Sequence, residues 1–335
     1  MTSNRAAVLL EPGRIVVEDR AVPEIGPHDV LVRVRSVGVC GSDVHYFEHG
    51  RIGDFVVRSP LVLGHEASGT VLDVGSEVRR VKVGERVAIE PGWPDGSCEQ
   101  CLAGRYNLCP QVQFLATPPV DGAFTELLAV PEAFAHPVPD SLSDDAAALI
   151  EPLSVAIAAT RNAGVRPGSS VLITGAGPVG VLVAEVAIAA GATTVVVLEP
   201  GTERRTRSGN LTAAQVLDLD GLPAHARFDA FIECSGAAAA VRSGLERLKP
   251  GGRAVLVGMG ADEVAVPVIL IQVRELVLTG TFRYANAYRD AIELAAAGRV
   301  DLDQLVDRHY ALDEVADALS ATRQDPALMK VIVSP

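Results

Sequence analysis

Three cysteines lie close together in the chain, and an aspartate stands three residues before the first of them. The four residues are Asp95, Cys98, Cys101 and Cys109. Cys-x2-Cys spacing allows two thiolates to bind one metal ion, and a further thiolate and a carboxylate can complete a tetrahedron. The spacing therefore predicts a closed structural zinc site with one oxygen ligand.

A second group of metal-binding residue types occurs upstream, at Cys40 and at the adjacent pair His65 and Glu66. Zinc held by a thiolate, an imidazole and a carboxylate keeps its fourth position for water or substrate. Adjacent residues of a strand point to opposite faces, so His65 and Glu66 can share one ion only if the chain bends, which Gly64 permits. Otherwise Glu66 does not touch the ion but orients one of its ligands or tunes the ion, and Glu151 is the alternative carboxylate.

Two residues beside Cys40 could move a proton. Ser42 could take the proton of a bound hydroxyl group, and His45 could pass it to solvent, because imidazole titrates near neutral pH. A structural alternative is that Ser42 caps a helix that starts at Asp43.

A glycine-rich turn occurs in the middle of the chain, between a predicted strand at residues 171–174 and a predicted helix. It comprises Gly175, Gly177, Pro178, Val179 and Gly180. In such a turn the backbone can approach a pyrophosphate at the helix N-terminus. Glu199, at the end of the next predicted strand, could hold both ribose hydroxyls and would repel a 2′-phosphate, which favours NAD, although Arg204 and Arg205 follow closely. The alternative is an ordinary strand–helix turn with a solvent-facing Glu199.

The composition excludes several classes of protein. The chain has 335 residues with 48% hydrophobic content and 21% charged content, which indicates a globular protein large enough for two domains. A net charge of −13 argues against nucleic-acid and anionic-membrane partners. We find no signal peptide and no apolar run long enough to span a bilayer. The chain has five cysteines, which is an odd number, and most of them belong to the candidate metal sites. This pattern fits reduced thiols in the cytoplasm better than disulfides.

The elements that position these residues fall into two kinds. The first third alternates polar and apolar residues between closely spaced turns, which predicts a barrel-like β domain. From about Ala146, strands at residues 170–174, 194–198, 228–233, 253–257 and 276–281 alternate with helices, which predicts a doubly wound parallel sheet. Helices at residues 286–297 and 313–322 then return to the first domain. We assign residues 1–152 and 283–335 to a catalytic zinc-binding domain and residues 153–282 to an NAD-binding Rossmann domain.

Several stretches resemble the zinc-containing medium-chain alcohol dehydrogenases, in particular their polyol branch of sorbitol and xylitol dehydrogenases. They are Cys40-Gly-Ser-Asp-Val-His-Tyr46, Gly50-Arg-Ile-Gly53, Leu63-Gly-His-Glu-Ala-Ser-Gly-Thr70, Gly104-Arg-Tyr-Asn-Leu108, Ala116-Thr-Pro-Pro119, Glu151-Pro-Leu-Ser154, Gly175-Ala-Gly-Pro178, Glu233-Cys-Ser-Gly236 and Thr281-Phe-Arg-Tyr284. The resemblance implies an α/β fold, with a Rossmann doubly wound parallel sheet domain and a mostly-β GroES-like catalytic domain.

The resemblance also implies a function. A catalytic zinc on Cys40, His65 and Glu66, with Glu151 close by, would serve an NAD-dependent polyol dehydrogenase in which Ser42 and His45 relay the proton. It implies a substrate pocket that contains Tyr46, Phe114, Thr117, Arg283 and Tyr284. Alternatives are the same mechanism on an aminocyclitol, a cyclitol, a sugar lactol or a simple secondary alcohol, and, remotely, a non-catalytic nucleotide-binding protein.

Two features depart from the family's pattern. Asp95 stands where relatives carry the first of four structural-site cysteines. The segment between Glu199 and Phe228 is shorter than usual, and residues 204–210 replace a clean amphipathic helix there. The resemblance also implies a homo-oligomer, with a tetramer favoured, assembled through the strand at residues 276–281 and the apolar run at residues 264–273.

Overall fold

The computed structural model of the protein describes residues 3–335. The chain divides into two compact units, Met1–Glu151 with Tyr288–Pro335, and Pro152–Ala287. These boundaries lie one and five residues from the ones predicted from the sequence. As a consequence, Arg283 and Tyr284 belong to the second unit.

The elements of the first unit before the boundary are mostly short strands. They are β1 (Asn4–Glu11), β2 (Arg14–Arg20), β3 (Asp29–Gly38), α1 (Gly41–His49), β4 (Arg51–Ile52), β5 (Phe55–Val56), β6 (Leu61–Val62), β7 (Glu66–Val74), β8 (Arg86–Ile89), β9 (Gly92–Trp93), α2 (Glu99–Leu102), β10 (Gln113–Phe114), β11 (Leu127–Pro131), β12 (Ala135–Pro137) and α3 (Asp144–Ala148).

Strands and helices then alternate in the second unit, after which the chain returns to the first. The elements are α4 (Ile150–Asn162), β13 (Ser170–Thr174), α5 (Pro178–Ala189), β14 (Thr194–Leu198), α6 (Thr202–Gly209), β15 (Gln215–Leu217), β16 (Phe228–Glu233), α7 (Ala238–Glu246), β17 (Leu248–Leu256), α8 (Val268–Arg274) and β18 (Val277–Gly280), followed by α9 (Tyr288–Ala296), β19 (Val306–Ala311), α10 (Val315–Gln324) and β20 (Lys330–Ser334).

The first unit is built around a seven-stranded sheet in the order β12-β8-β7-β3-β20-β19, with β11 paired to β3 as well. Strand β3 lies at the centre of this sheet. The alternation of apolar and charged residues along β3 explains why one of its faces is buried. Val30, Val32 and Val34 are buried, while Arg33 and Arg35 on the other face are partly or fully exposed. The period of two therefore places one face of β3 against the apolar core.

The second unit contains a six-stranded parallel sheet in the order β15-β14-β13-β16-β17-β18. Numbered within the unit, this is the order 3-2-1-4-5-6 of a doubly wound dinucleotide-binding sheet. Val171, Leu172 and Ile173 of β13 are all buried, because helices cover both faces of such a sheet. The predicted strands at residues 170–174, 194–198 and 228–233 are confirmed, and so is the predicted fold class.

Where the sequence indicated no clean amphipathic helix, the chain forms the short polar helix α6, which Arg205 ties to the carbonyl oxygens of Glu199 and Pro200. Two predicted features of the helices were wrong. Helix α1 has Cys40 as its N-cap, so Ser42 lies inside the helix and does not cap it. Helix α9 begins at Tyr288 and not at residue 286, because Asn286 has a positive φ of 54°.

Smaller differences concern the ends of elements. Strand β17 extends further towards its N-terminus than predicted, and α10 begins two residues later than predicted. Within residues 3–335, no helix combines the length and the apolar character that crossing a lipid bilayer requires.

Candidate active site

Cys40, His65 and Glu66 converge in the first unit. Each offers a ligand atom, and these atoms all lie within 4.8 Å of one another. Strand pairing explains the convergence, because Gly38 at the end of β3 pairs with Glu66 at the start of β7. Gly64 has a φ of 89°, which is the bend that allows His65 and Glu66 to face one point. The structure therefore brings together the three residues that the sequence proposed as ligands.

Asp43 organises this group from a fully buried position in α1. Its Oδ2 accepts a hydrogen bond from the Cys40 backbone N–H at 3.1 Å, and its Oδ1 accepts one from Gly64 N–H at 2.9 Å. Oδ1 also lies 3.4 Å from Nδ1 of His65. A carboxylate at one ring nitrogen fixes the orientation of the imidazole and leaves Nε2 for a ligand.

The pKa of His65 shows how negative these surroundings are. Burial alone would lower it, but the charges of Asp43 and of the Cys40 thiolate, with their hydrogen bonds, raise the pKa well above its ordinary value. A buried imidazole that faces two anionic side chains is a good position for a cation. No local pattern of the sequence indicates this role of Asp43, which was expected only as the possible start of a helix.

Lys330, the first residue of β20, is the second component that the sequence analysis missed. Its Nζ donates to both carboxylate oxygens of Glu66, at 2.5 Å and 2.6 Å, and to the carbonyl oxygen of Val39 at 3.2 Å. Burial would lower the pKa of Lys330, but the negative charges of Glu66, then of Cys40 and Glu151, raise it, so the buried ammonium stays charged. The available signal was a lysine within the apolar run Met329-Lys-Val-Ile-Val333.

The chemistry of these donors fits zinc. A thiolate, an imidazole and a carboxylate form the set of a catalytic zinc site that keeps one position open. Glu151 is buried at the start of α4 and is not a member of the close group, but its charge acts on Lys330. Of the two carboxylates considered from the sequence, Glu66 is therefore the one placed beside Cys40 and His65.

The predicted structural site also forms a close group. The ligand atoms of Asp95, Cys98, Cys101 and Cys109 all lie within 4.8 Å of one another. The backbone N–H groups of Ser97 and Cys98 donate to Oδ1 of Asp95 at 2.7 and 2.9 Å, and they lower the pKa of its carboxyl group to about 2. Asp95 is therefore a preformed carboxylate within a cysteine loop, and the donor set of one oxygen and three sulfur atoms fits zinc.

The two predicted proton-relay residues lie on α1. Ser42 is partly buried and His45 is exposed, three residues further along. Residues three apart on a helix are neighbours on one face, so the pair leads from the vicinity of Cys40 towards solvent. The ring of His45 packs edge-on against that of His49, with 4.6 Å between centroids.

The predicted substrate residues are divided between the units. In the first, the ring of Phe114 lies 5.7 Å from that of His65, and Thr117 closes a turn by donating its N–H to the Phe114 carbonyl. Tyr46 is buried in the core of the same unit. In the second unit, the Arg283 guanidinium lies 4.6 Å above the ring of Phe282, and Tyr284 is buried.

The glycine turn of the second unit has the geometry that a dinucleotide loop needs. Gly175 has a φ of 88°, and a Cβ on it would lie 2.9 Å from Ser235. A Cβ on Gly180 would lie 1.9 Å from the Gly175 carbonyl oxygen, so only glycine allows α5 to start there. Gly177 caps α5, and Pro178 and Val179 form its first turn. The helix N-terminus thus follows the turn directly, where a pyrophosphate would be bound.

Glu199 directly follows β14 and lies beside this turn. Its carboxylate accepts hydrogen bonds from the N–H groups of Ala176 at 3.0 Å and Gly201 at 2.9 Å. A guanidinium nitrogen of Arg204 lies 3.3 Å from the position that a Cβ of Gly177 would take. An anionic acceptor and a cation therefore flank the loop, and both are residues that the sequence pattern indicated.

Comparisons with known proteins agree with this architecture. Residues 26–140 match the family model of the alcohol dehydrogenase GroES-like domain, and residues 178–297 match that of zinc-binding dehydrogenases. The chain is 42% identical to sorbitol dehydrogenase of Mus musculus, over 98% of this chain and 95% of that protein. It is also 42% identical to sorbitol dehydrogenase of Bacillus subtilis, over 99% and 97% of the two chains.

A solved structure shows the same fold. It is an oxidoreductase/dehydrogenase of unknown specificity from Escherichia coli, with a TM-score of 0.94 and 33% identity over 99% of both chains. The family's cofactors are zinc and a nicotinamide dinucleotide, and its substrates are small alcohols. The chain belongs to the zinc-containing medium-chain alcohol dehydrogenases, in their polyol dehydrogenase branch.

Proposed function

We propose that the protein is an NAD-dependent dehydrogenase that oxidises a secondary hydroxyl group of a sorbitol-like or xylitol-like polyol. The observation that carries the proposal is the group Cys40, His65 and Glu66, whose ligand atoms lie within 4.8 Å of one another. This group occurs in a chain that matches two sorbitol dehydrogenases at 42% identity over nearly their full length.

Each residue of the group has a role in this proposal. Cys40, His65 and Glu66 hold the catalytic zinc, which when bound acts as a Lewis acid that lowers the pKa of the alcohol. Asp43 holds the imidazole in place, and Lys330 holds the carboxylate. Ser42 accepts the hydroxyl proton, and the exposed His45 releases it to solvent. Glu151 adds a negative charge to the same surroundings.

The remaining predicted residues bind the two substrates. We assign Tyr46, Phe114 and Thr117 of the first unit to polyol binding, and likewise Arg283 and Tyr284 of the second, because hydroxyl groups and a guanidinium can satisfy substrate oxygens and aromatic rings exclude water. Gly175, Gly177, Pro178, Val179 and Gly180 bind the dinucleotide pyrophosphate. Glu199 would accept the ribose hydroxyls, which favours NAD, and Arg204, beside Gly177, would interact with the phosphates.

The second, closed zinc site is part of the same proposal. Asp95, Cys98, Cys101 and Cys109 hold a structural ion, with the aspartate in place of a fourth cysteine. The loop is tied to the rest of its unit by Tyr106, whose hydroxyl donates to Glu90 Oε1 at 2.6 Å. All five cysteines are unpaired thiols, which supports a reducing compartment, and we place the protein in the cytoplasm.

We further propose a homo-oligomer, with a tetramer favoured. Strand β18 is an edge of the six-stranded sheet, and α8, which precedes it in the chain, exposes Val268, Ile269 and Val273 at 57%, 71% and 72% of their surface. An open edge strand next to exposed aliphatic side chains is an aggregation hazard unless another chain covers it. A second copy of this chain, paired edge to edge, would cover both. Light scattering during size-exclusion chromatography tests this, and a monomer would contradict it.

The central test removes the metal ligands. Cys40→Ser and His65→Ala are expected to abolish polyol oxidation while NADH binding, followed by fluorescence, stays close to that of the wild type. His225→Ala, an exposed histidine of the second unit, is the control and should retain activity. Undiminished turnover in either ligand variant would overturn the proposal.

A substrate screen tests the polyol assignment. Rates with sorbitol, xylitol, ribitol, cyclitols, aminocyclitols and 2-propanol should be measured with NAD and with NADP, together with zinc per chain. We expect the highest catalytic efficiency with an acyclic polyol and NAD. A preference for 2-propanol would leave a dehydrogenase of simple alcohols, and a preference for a cyclitol would change only the substrate.

A further inference from the structure

Glu233 is a buried acid that the proposed reaction does not use. It ends β16, the strand next to β13 in the middle of the parallel sheet, and only 1% of its surface is exposed. Thr174, which directly precedes the glycine turn, pairs with Glu233 across the two strands. A buried carboxylate needs compensating hydrogen bonds. The donors of these bonds therefore identify the part of the structure that the carboxylate of Glu233 holds in place.

All the hydrogen-bonding groups around the carboxylate can act as donors. Oε1 accepts from the backbone N–H of Ser235 at 2.7 Å and of Gly236 at 3.0 Å, from the Ser235 hydroxyl group, and from the Thr174 hydroxyl group at 3.3 Å. Oε2 accepts from the Gly236 N–H at 3.0 Å. In the described part of the chain, no lysine, arginine or histidine nitrogen forms an ion pair with it. The acid is thus held by the loop that follows its own strand.

The backbone of Glu233 contacts a second loop. Its carbonyl oxygen accepts from the N–H groups of Val257 at 2.8 Å and Gly258 at 3.0 Å, which follow β17. A Cβ on Gly258 would lie 2.8 Å from Oε2 of Glu233 and 2.2 Å from the nitrogen of Gly236. The loop after β17 therefore packs backbone against backbone on the loop after β16.

The same loop after β16 supports the glycine turn. A Cβ on Gly175 would lie 2.9 Å from the nitrogen and the Cβ of Ser235, and a Cβ on Gly180 would lie 3.7 Å from that of Cys234. On its other side, a Cβ on Gly260 would lie 1.8 Å from the carbonyl oxygen of Gly236. The Ser235-Gly236 peptide is thus packed between the turn after β13 and the loop after β17.

We propose that Glu233 is a positioning residue for the dinucleotide, because its carboxylate fixes the Ser235-Gly236 peptide against which the Gly175 turn rests. The inference builds on the proposed NAD site and adds a residue that does not itself touch the cofactor. A doubly wound sheet binds its ligand at the carboxyl ends of its parallel strands. A shift of the Ser235-Gly236 peptide therefore alters the dinucleotide site directly.

The test is Glu233→Gln in the full-length, zinc-loaded protein. The amide keeps the shape but offers one acceptor oxygen where two are used, and it directs N–H groups at backbone N–H groups. We expect the Kd for NADH to rise roughly tenfold and the KM for NAD to follow it, while the KM for the polyol at saturating NAD stays unchanged. Glu185→Gln is the matched control, because Glu185 accepts from Thr212 at 2.6 Å on α5 and contacts none of these loops.

A purely structural role gives a different result. It would lower the melting temperature and the active fraction, but the folded fraction would bind NADH with the wild-type Kd, and that result would overturn the inference. If Glu233→Gln does not fold, Ser235→Ala decides the matter. It removes the hydroxyl group that donates to Glu233 and accepts from the Ala237 N–H, but it keeps the carboxylate. A raised Kd for NADH supports the inference, and an unchanged one overturns it. Wild-type protein that binds NADH but oxidises no alcohol would overturn the proposed function alone.

Discussion

The Nζ atom of Lys330 lies within 2.6 Å of both carboxylate oxygens of Glu66, in a pair whose members are 3% and 1% exposed. Gly38 makes room for the pair. It lies between the two strands that carry these residues, since it pairs with Glu66 of β7 on one side and Ile332 of β20 on the other. The candidate zinc ligand is therefore held by a cation from the far end of the chain.

We expect Lys330→Met to destabilise the protein strongly. In the zinc-free protein, the substitution keeps the apolar length of the side chain but leaves Glu66 as a buried charge without its ammonium partner, which costs about 3–5 kcal/mol of the free energy of unfolding. Denaturant unfolding measures the change. Lys249→Met is the matched control, because its ion pair with Asp229 is nearly half exposed and contributes about 0–1 kcal/mol. Equal losses in the two variants would contradict the role of Lys330.

Gly38→Ala should perturb the same pair by steric overlap. A Cβ at this position would lie 2.1 Å from Oε2 of Glu66, so the carboxylate must move away from Lys330 and from the other ligands. We expect a loss of about 1–3 kcal/mol in stability, and a lower affinity for zinc at the catalytic site. Gly41→Ala, three residues away, meets no atom within 4 Å and should behave as the wild type. Zinc competition with a chelator and thermal unfolding compare the two.

Asp95 is predicted to complete the structural zinc site. Asp95→Ala should lower the zinc content by one ion per chain and reduce thermal stability, because three thiolates alone leave the tetrahedron open. Asp95→Cys should restore the ion, and Glu99→Ala, an exposed acid in the same loop, should leave it in place. Elemental analysis after dialysis measures the content. Full retention of zinc by Asp95→Ala would show that the carboxylate is not a ligand.

Glu199 is predicted to determine the choice of dinucleotide. Removal of its carboxylate in Glu199→Ala takes away the acceptor for the ribose hydroxyls and the repulsion of a 2′-phosphate, while Arg204 and Arg205 remain. We expect the ratio of kcat/KM for NAD to that for NADP to fall roughly tenfold or more. Glu203→Ala removes an exposed acid of α6 and should leave the ratio unchanged. An unaltered ratio in Glu199→Ala would place the discrimination elsewhere.

Asp229 links pH to the stability of the second unit. Burial would raise its pKa, but Lys249 and Ser170 outweigh this and lower it to about 2. A carboxyl group whose pKa is depressed by folding stabilises the protein above its unfolded value of about 3.9, and this stabilisation is lost as the pH falls towards the folded value. Asp229→Asn should therefore cost about 1 kcal/mol at pH 6, given the exposure of the pair, and less at pH 3. Urea unfolding at both pH values measures the difference, and equal losses would contradict the prediction.

Much of the fold was contained in local patterns of the sequence. Strands such as residues 170–174 and 228–233 were predicted correctly, because strands buried on both faces are continuous apolar runs between turns. The glycine turn and Glu199 could also be recognised from a local pattern, because the turn, the next strand and the acid follow one another at fixed spacing. The metal-binding residue types were also evident, because cysteine and histidine at such spacing have few other uses.

The tertiary structure decided the relationships that depend on residues far apart in the chain. Lys330 lies 264 residues from Glu66, and only the pairing of β3 with both β7 and β20 brings them together. Asp43 accepts a hydrogen bond from Gly64 and lies beside His65, although these residues are 21 and 22 positions away in the sequence. No local pattern indicates these contacts. Local spacing determines which side chains can form a site, but long-range strand pairing determines which charges surround it, because electrostatic interactions depend on distances in space.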